Sequence, residues 1–218
     1  MDHLKKTSLR ILLIICGVIA GILISSALFT FTGFSIFGRF HDKAPPPVEM
    51  SKAEFITLAC NVVEYIKNGD FISLSEAAHP EFGVVFSPRA TVTLSTNRRF
   101  GAEQIAAIGD DTNVYVWGVC NGSGEPIEMT PADYFAKYVF DKDYTAASVI
   151  GVDHIVRSGN ALENITDIFS DVRFVDFYIS GGDKDASDSL GWSILRLGFE
   201  EYEGKLWLTA IIHSEWTE

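Results

Sequence analysis

Cysteine is scarce in this 218-residue chain: there are three, and only Cys60 and Cys120 lie beyond residue 43. Two cysteines do not make a disulfide framework, so any core must come from apolar packing. Whether the two pair is left open, and Cys60 stands in a helical pattern where a free thiol would pack as a small hydrophobe. No pair of Cys or His residues has metal-ligand spacing, so no metal site is assigned. Bases are short as well. From residue 44 onward 12 Lys and Arg face 27 Asp and Glu, a net charge of −15, whereas residues 1–43 hold 5 against 2. A domain so acidic repels nucleic acid and anionic lipid headgroups. Its expected partners are an envelope protein or a small neutral or cationic ligand. A nucleophile elbow is missing too, because Ser123 sits in Gly-Ser-Gly within a turn and not in Gly-x-Ser-x-Gly between strand and helix. No catalytic residue and no cofactor is assigned.

Charge is absent altogether from Ile11 to Gly38, and the bases just upstream are Lys5, Lys6 and Arg10. A bilayer core of about 30 Å needs roughly 20 apolar helical residues, which this run supplies. The expectation is a cytoplasmic tail at 1–10, a single-pass transmembrane anchor at 11–33 and a stalk at 34–48 stiffened by Pro45-Pro46-Pro47. The positive-inside rule then puts the rest of the chain outside the cytoplasm, with Arg39 and Lys43 weakening the bias. Cleavage near Ser25-Ser26-Ala27 and lipidation at Cys16 remain alternative fates for the run.

Residues 49–218 read as one extracytoplasmic α+β domain. Ser51 with Glu54 forms a capping-box pattern, and Phe55, Leu58, Ala59, Val62 and Ile66 recur at helical spacing until Lys67-Asn68-Gly69. A short helix follows over Phe71 to Ala78, with Asp70 as N-cap, stopped by His79-Pro80. Thr91 to Ser95 reads as a strand, Ala102 to Ile108 as a helix and Val114 to Val119 as a strand. Thr130-Pro131 opens a helix ending near Phe140. Val149 to Val156 and Val172 to Ile179 read as strands, separated by a polar segment.

Glu203-Gly204 is a hairpin turn between WSILRLGFE and KLWLTAIIHSEW. A regular two-residue hairpin sets Phe199 opposite Leu208, Leu197 opposite Ala210 and Leu195 opposite Ile212. The other face then carries Trp192, Ile194, Arg196, Trp207, Thr209, Ile211 and His213. If the sheet curves, that face lines a pocket walled by Trp117, Trp192 and Trp207, with Arg196, His79 and His213 as its polar contacts. The bland reading of the same face is a half-solvated sheet surface. Asp183, Asp185, Ser187 and Asp188 superficially resemble a calcium loop, but Ile194 stands where the twelfth-position glutamate belongs. Asn164-Ile165-Thr166 is a glycosylation sequon.

Val116-Trp117-Gly118, then Asn121-Gly122-Ser123-Gly124-Glu125-Pro126-Ile127, Thr130, Tyr134 and Phe140-Asp141 resemble a bacterial extracytoplasmic family of uncharacterised proteins. Trp192-Ser193, Leu195-Arg196-Leu197, Phe199-Glu200, Gly204-Lys205, Ile212-His213 and Trp216-Thr217 carry the same resemblance, as do His79-Pro80 and Phe86-Ser87-Pro88 earlier. It spans most of residues 55–217 and implies one folded domain without implying an activity. The order of elements also resembles the NTF2-like or cystatin-like fold, in which helices pack on a curved antiparallel sheet and leave a cavity. Together these readings give a membrane-anchored binding or interaction module, with a structural role in envelope assembly as the rival. A small hydrolase or isomerase in an NTF2-like pocket is the third class.

Overall fold

The structure is a computed structural model that describes residues 49–120, 122–181 and 191–216. All of these lie in one compact unit that begins at Pro46. The expected tail, anchor and stalk lie outside the described residues, as does the calcium-like loop around Asp183, Asp185, Ser187 and Asp188.

The first helix, α1, runs over Lys52–Asn68 and starts where its caps require. The Ser51 hydroxyl accepts from the Glu54 N–H while the Glu54 carboxylate accepts from the Ser51 N–H, which satisfies two end donors together. Gly69 closes the helix in the left-handed conformation at φ 64°. One face, Phe55, Ala59, Val62, Val63 and Ile66, is buried. Asp70 caps α2, Phe71–Ala77, by accepting from the Ser73 N–H. There follow β1 (Val84–Ser87), β2 (Arg98–Phe100), α3 (Ala102–Ala106), β3 (Tyr115–Val119) and β4 (Pro126–Met129). Next come α4 (Pro131–Tyr134), which widens into a π-helical turn over Phe135–Val139, and β5 (Val149–Val152). The chain continues with α5 (Ile165–Ile168), β6 (Arg173–Ile179), β7 (Ser193–Tyr202) and β8 (Lys205–Glu215).

Six strands form one sheet in the order β2-β1-β8-β7-β6-β5, and β3 pairs with β4 in a separate ribbon. The main sheet is mixed: β1 runs parallel to β8, with Val85 beside Ala210, while every other pairing is antiparallel. This corrects the expected antiparallel sheet. The physical reason is that β1 sits inside the sheet and all four of its residues are buried. A continuous apolar run of this kind marks a strand covered on both faces, and its pattern carries no information about direction. The expected transmembrane anchor at 11–33 lies outside the described residues. Among the described residues no helix is long and apolar enough to cross a membrane.

Both faces of the sheet are covered. Val84, Phe86, Val175, Phe177, Leu195, Leu197, Phe199, Leu208 and Ile211 share a core with α1 and the aromatic group Phe100, Trp117, Tyr134 and Phe135. Val85, Phe174, Ala210 and Ile212 face the other way and pack with Val92, Ile165 and Phe169. The expected strand at Thr91–Ser95 does not form, because side-chain amides take its backbone groups. Asn164 donates to Val92 O at 2.9 Å and accepts from Val92 N at 2.8 Å, and Asn97 accepts from Thr93 N at 2.6 Å. Such local bonds compete directly with a ladder. Asn164, the sequon residue, is thereby engaged in the fold.

The β7–β8 hairpin turns at Glu203 and Gly204, both with positive φ, as a type I′ turn needs. Phe199 faces Leu208 as the regular register requires. Beyond that point Gly198 faces Ala210, so Thr209 is an extra residue on β8 and forms a β-bulge. The buried Thr209 hydroxyl donates to Gly198 O at 3.2 Å. A Cβ on Gly198 would come within 3.2 Å of both Ala210 and Ile165, which explains glycine at this crowded point. Leu197 consequently faces Ile211, Arg196 faces Ile212 and Leu195 faces His213, correcting the expected register for the inner half of the hairpin. The apolar triplet Ala210-Ile211-Ile212 hides the slip, since either register buries hydrophobic residues.

On the second face Arg196, fully buried, lies opposite Asp176, also fully buried. Its Nε and Nη2 donate to the two Asp176 oxygens at 2.6 and 2.9 Å, and Nη1 bonds to Glu163. Removing one partner from a buried pair strands the other charge and costs about 3–5 kcal/mol. Arg196→Ala should therefore lower the urea-derived unfolding free energy by about that amount. The pair Arg196→Met with Asp176→Leu should recover part of the loss, because Glu163, 10 % exposed, still lacks its cation. A change below about 1 kcal/mol in Arg196→Ala would contradict this structural assignment.

Candidate functional site

The six residues expected to line one pocket are dispersed. Trp117 on β3 is fully buried, stacks on Tyr134 at 3.8 Å between ring centres, and donates from Nε1 to Met129 O at 2.9 Å. Trp192, just before β7, is buried beneath Arg157, whose guanidinium carbon lies 5.4 Å from the indole centre. Trp207 is half-buried, donates from Nε1 to Tyr202 O, and carries the Lys205 ammonium 3.9 Å above its ring. Arg196 is consumed by its two carboxylates. The Thr209 bulge puts Arg196 and His213 on opposite faces of the sheet, so no single cavity can use both.

His79 is tied to β8 at Leu208, whose carbonyl accepts the His79 N–H at 2.9 Å. His213 lies five residues further along β8, roughly 17 Å at the usual strand rise. The His79 Nδ1 accepts from the N–H groups of Phe82 at 3.0 Å and Glu81 at 3.3 Å, which fixes that nitrogen as an unprotonated acceptor. Burial holds this imidazole below its ordinary value, opposed by the Glu81 carboxylate. His213, 1 % exposed, lies with Nδ1 3.7 Å from Asp141 Oδ1 and Nε2 3.5 Å from Glu215 Oε2.

Two of the hollows on the described surface have room for a small ligand. The smaller, about 210 Å³, lies between α1, α2 and the hairpin and is lined by Leu58, Tyr65, Glu76, Phe199 and Lys205 among others. The larger, about 520 Å³, lies where α3 and the following turn meet the loop into β3. Gln104 fixes the start of α3 by accepting from the Gly101 N–H at 3.0 Å. Glu103, Asp110 and Asp111 line this hollow, together with the rings of Phe100 and Tyr115. Phe100 and Tyr115 meet edge to face at 5.2 Å, and Trp117 braces both from behind at 5.6 and 6.2 Å. Asp111 accepts from Asn113 N, Asn113 Nδ2 and the Tyr115 hydroxyl. Those bonds, the backbone one foremost, hold its carboxyl below the usual carboxylate range, so it is charged at neutral pH.

Of this hollow, only Trp117 behind its wall belonged to the sequence-derived set. The acids Glu103, Asp110 and Asp111 were visible as letters, but nothing in their spacing joins a helix, a turn and a strand into one concavity. Among the described residues no group of three His, Cys, Asp or Glu side chains is placed to hold a metal ion. Cys60 and Cys120 are free thiols. The arrangement is suited to non-covalent recognition: charge and aromatic surface converge on an open space, with no nucleophile held by a base there.

Comparison with protein-family models, with curated proteins and with solved structures finds no match to the chain.

His79 gives the fold a pH dependence with a definite sign. Its folded value lies below the unfolded one of about 6.5, so the unfolded chain binds more protons between the two. The stability it contributes is complete above about pH 6.5 and is lost as pH falls through the folded value. His79→Asn keeps an acceptor for the Phe82 N–H and removes the titration. The gap in urea midpoint between about pH 7.5 and about pH 5 should therefore narrow in that variant. An unchanged gap would show that His79 does not titrate with folding.

Proposed function

We propose that this domain is a non-covalent binding module that works outside the cytoplasm and takes a small organic cation into the acidic hollow beside Tyr115. The observation that carries the reading is the convergence of three carboxylates and two aromatic rings on one open space of about 520 Å³. A hollow of that size suits a small ligand, since such sites run from about 300 to 1,000 Å³. The charge of the domain acts in the same direction, because an acidic surface raises the local concentration of cations and speeds their arrival. The extracytoplasmic location rests on the uncharged run from Ile11 to Gly38 and on the bases before it.

Within this reading the carboxylates supply attraction and the rings supply a dry wall. Arg98 defines one limit of the site: its guanidinium carbon lies 4.2 Å from the Tyr115 ring centre and 5.1 Å from that of Phe100. One cation therefore already rests against these rings, and Glu103 and Asp110 are the acids offered to a ligand amine, because Asp111 is engaged by Asn113 and Tyr115. An assembly role is the second reading. It is favoured by Val114, just before β3, and by Val116 and Val119 on it, which are 63 %, 41 % and 41 % exposed and leave apolar surface there.

Calorimetric titration with 1,4-diaminobutane tests the first reading, with 1,4-butanediol as the uncharged control. The diamine should bind, the diol should not, and added salt should weaken binding, as screening between exposed charges requires. Glu103→Gln and Asp110→Asn should each weaken it by about two- to fivefold, or about 0.5–1 kcal/mol, while Glu76→Gln in the smaller hollow leaves it unchanged. Equal binding of diol and diamine, or indifference to both substitutions, would overturn the reading.

A further inference from the structure

His213 is the one buried titratable side chain of the sheet whose two ring nitrogens both lack a hydrogen-bond partner among the described residues. Polar or charged groups reach it from several of the segments packed around it. Glu215 comes from its own strand, two residues on, with an oxygen 3.5 Å from Nε2. Asp141, in the loop after the π-helical turn, has an oxygen 3.7 Å from Nδ1. Tyr138, in that turn, meets the imidazole edge to face at 5.7 Å. Leu195 lies directly across the ladder. Behind Asp141, the Tyr144 hydroxyl bonds to its Oδ1 at 2.6 Å and also to the Ser193 hydroxyl on β7. Lys142 donates to Gly191 O at 2.6 Å.

The two carboxylate contacts are longer than good hydrogen bonds and short for opposite charges. A neutral imidazole has one N–H and one lone pair, so in either tautomer one of the two carboxylates faces a lone pair. Only the imidazolium offers a donor to each side. The site is shaped for the charged form, and it joins three separate segments through that charge.

We propose that His213 is the centre of a proton-operated latch in which the imidazolium holds Asp141 and Glu215 together and so fastens the Asp141–Tyr144 segment to the end of β8. Loss of the proton leaves two carboxylates across a neutral ring, and the segment is released from β8. The latch is closed while the imidazole carries both protons and opens when one is lost. Its acid limit lies low. The contact with His213 foremost, with help from Arg89 and Lys142, keeps the Glu215 carboxyl below its ordinary value against the opposing effect of burial. His79 also changes stability with pH, so overall stability would mix the two effects, and the latch must be read locally.

Amide hydrogen exchange of the full-length chain at about pH 5.5 and about pH 8, corrected for intrinsic rates, provides that local reading. Protection of residues 141–146 and 213–215 should be about tenfold greater at the lower pH, while α1 amides change little. Glu215→Gln, at a half-exposed position, should fold and lose most of that difference. His213→Gln should abolish it, and nitrogen chemical shifts of His213 in the parent chain should show two N–H groups at the lower pH. Should His213→Gln fail to fold, the parent profile and Glu215→Gln still decide. Equal protection at both pH values, an undiminished difference in Glu215→Gln, or a single-tautomer neutral ring at the lower pH would each overturn the latch.

Discussion

The one extra residue at Thr209 governs how this domain distributes its polar groups. A strand alternates its side chains with period two, so inserting a residue exchanges the faces for everything beyond it. Here the exchange falls between Leu208 and Ala210. It keeps Phe199 and Leu208 with the core beneath α1, then turns Ile211 and His213 to that same side and Ala210 and Ile212 to the other. Without it, Arg196 and His213 would share a surface. With it, each has its own set of carboxylates, and both faces of the sheet become interior.

Those two buried basic side chains are handled differently. Arg196 is saturated: five short donor contacts are not needed when three bonds to Asp176 and Glu163 hold the guanidinium in a fixed plane. It fastens the Glu163 region over the second face, as Asn164 does one residue later by bonding to Val92. His213 is held by proximity to charge and by packing, without a good hydrogen bond on either nitrogen. A guanidinium cannot lose its proton under ordinary conditions, whereas an imidazole can. The permanent charge thus sits where the fold needs a fixed brace, and the removable one sits where segments meet.

What could be read from the letters follows from how local each signal is. The Ser51 and Glu54 capping box, the Gly69 stop, the Asp70 cap and the Glu203-Gly204 turn depend on neighbours within four residues, and each appears at its expected place. The strand at Thr91–Ser95 was misread because its backbone partners, Asn97 and Asn164, are side chains, one of them 72 positions from Val92. β1 and β4 lack a recognisable alternation: β1 is buried at all four positions, and β4 is four residues long. The dispersal of Trp117, Trp192, Arg196, Trp207, His213 and His79 had a similar origin. The register shift at Thr209 separated Arg196 from His213, while Trp117 lies on the separate ribbon and His79 beside Leu208.

The parallel contact of β1 with β8 also shapes how the chain reaches this structure. Val85 and Ala210 are neighbours across the ladder although about 125 residues separate them in sequence, so closing that loop carries a large entropic cost before any contact rewards it. During synthesis at roughly 5–20 residues per second, β1 waits on the order of ten seconds or more for its central partner to emerge. Over that interval the apolar strand and the buried face of α1 are uncovered together, and topologies of such long range fold slowly once complete. The nascent chain is therefore a natural client for a holding chaperone.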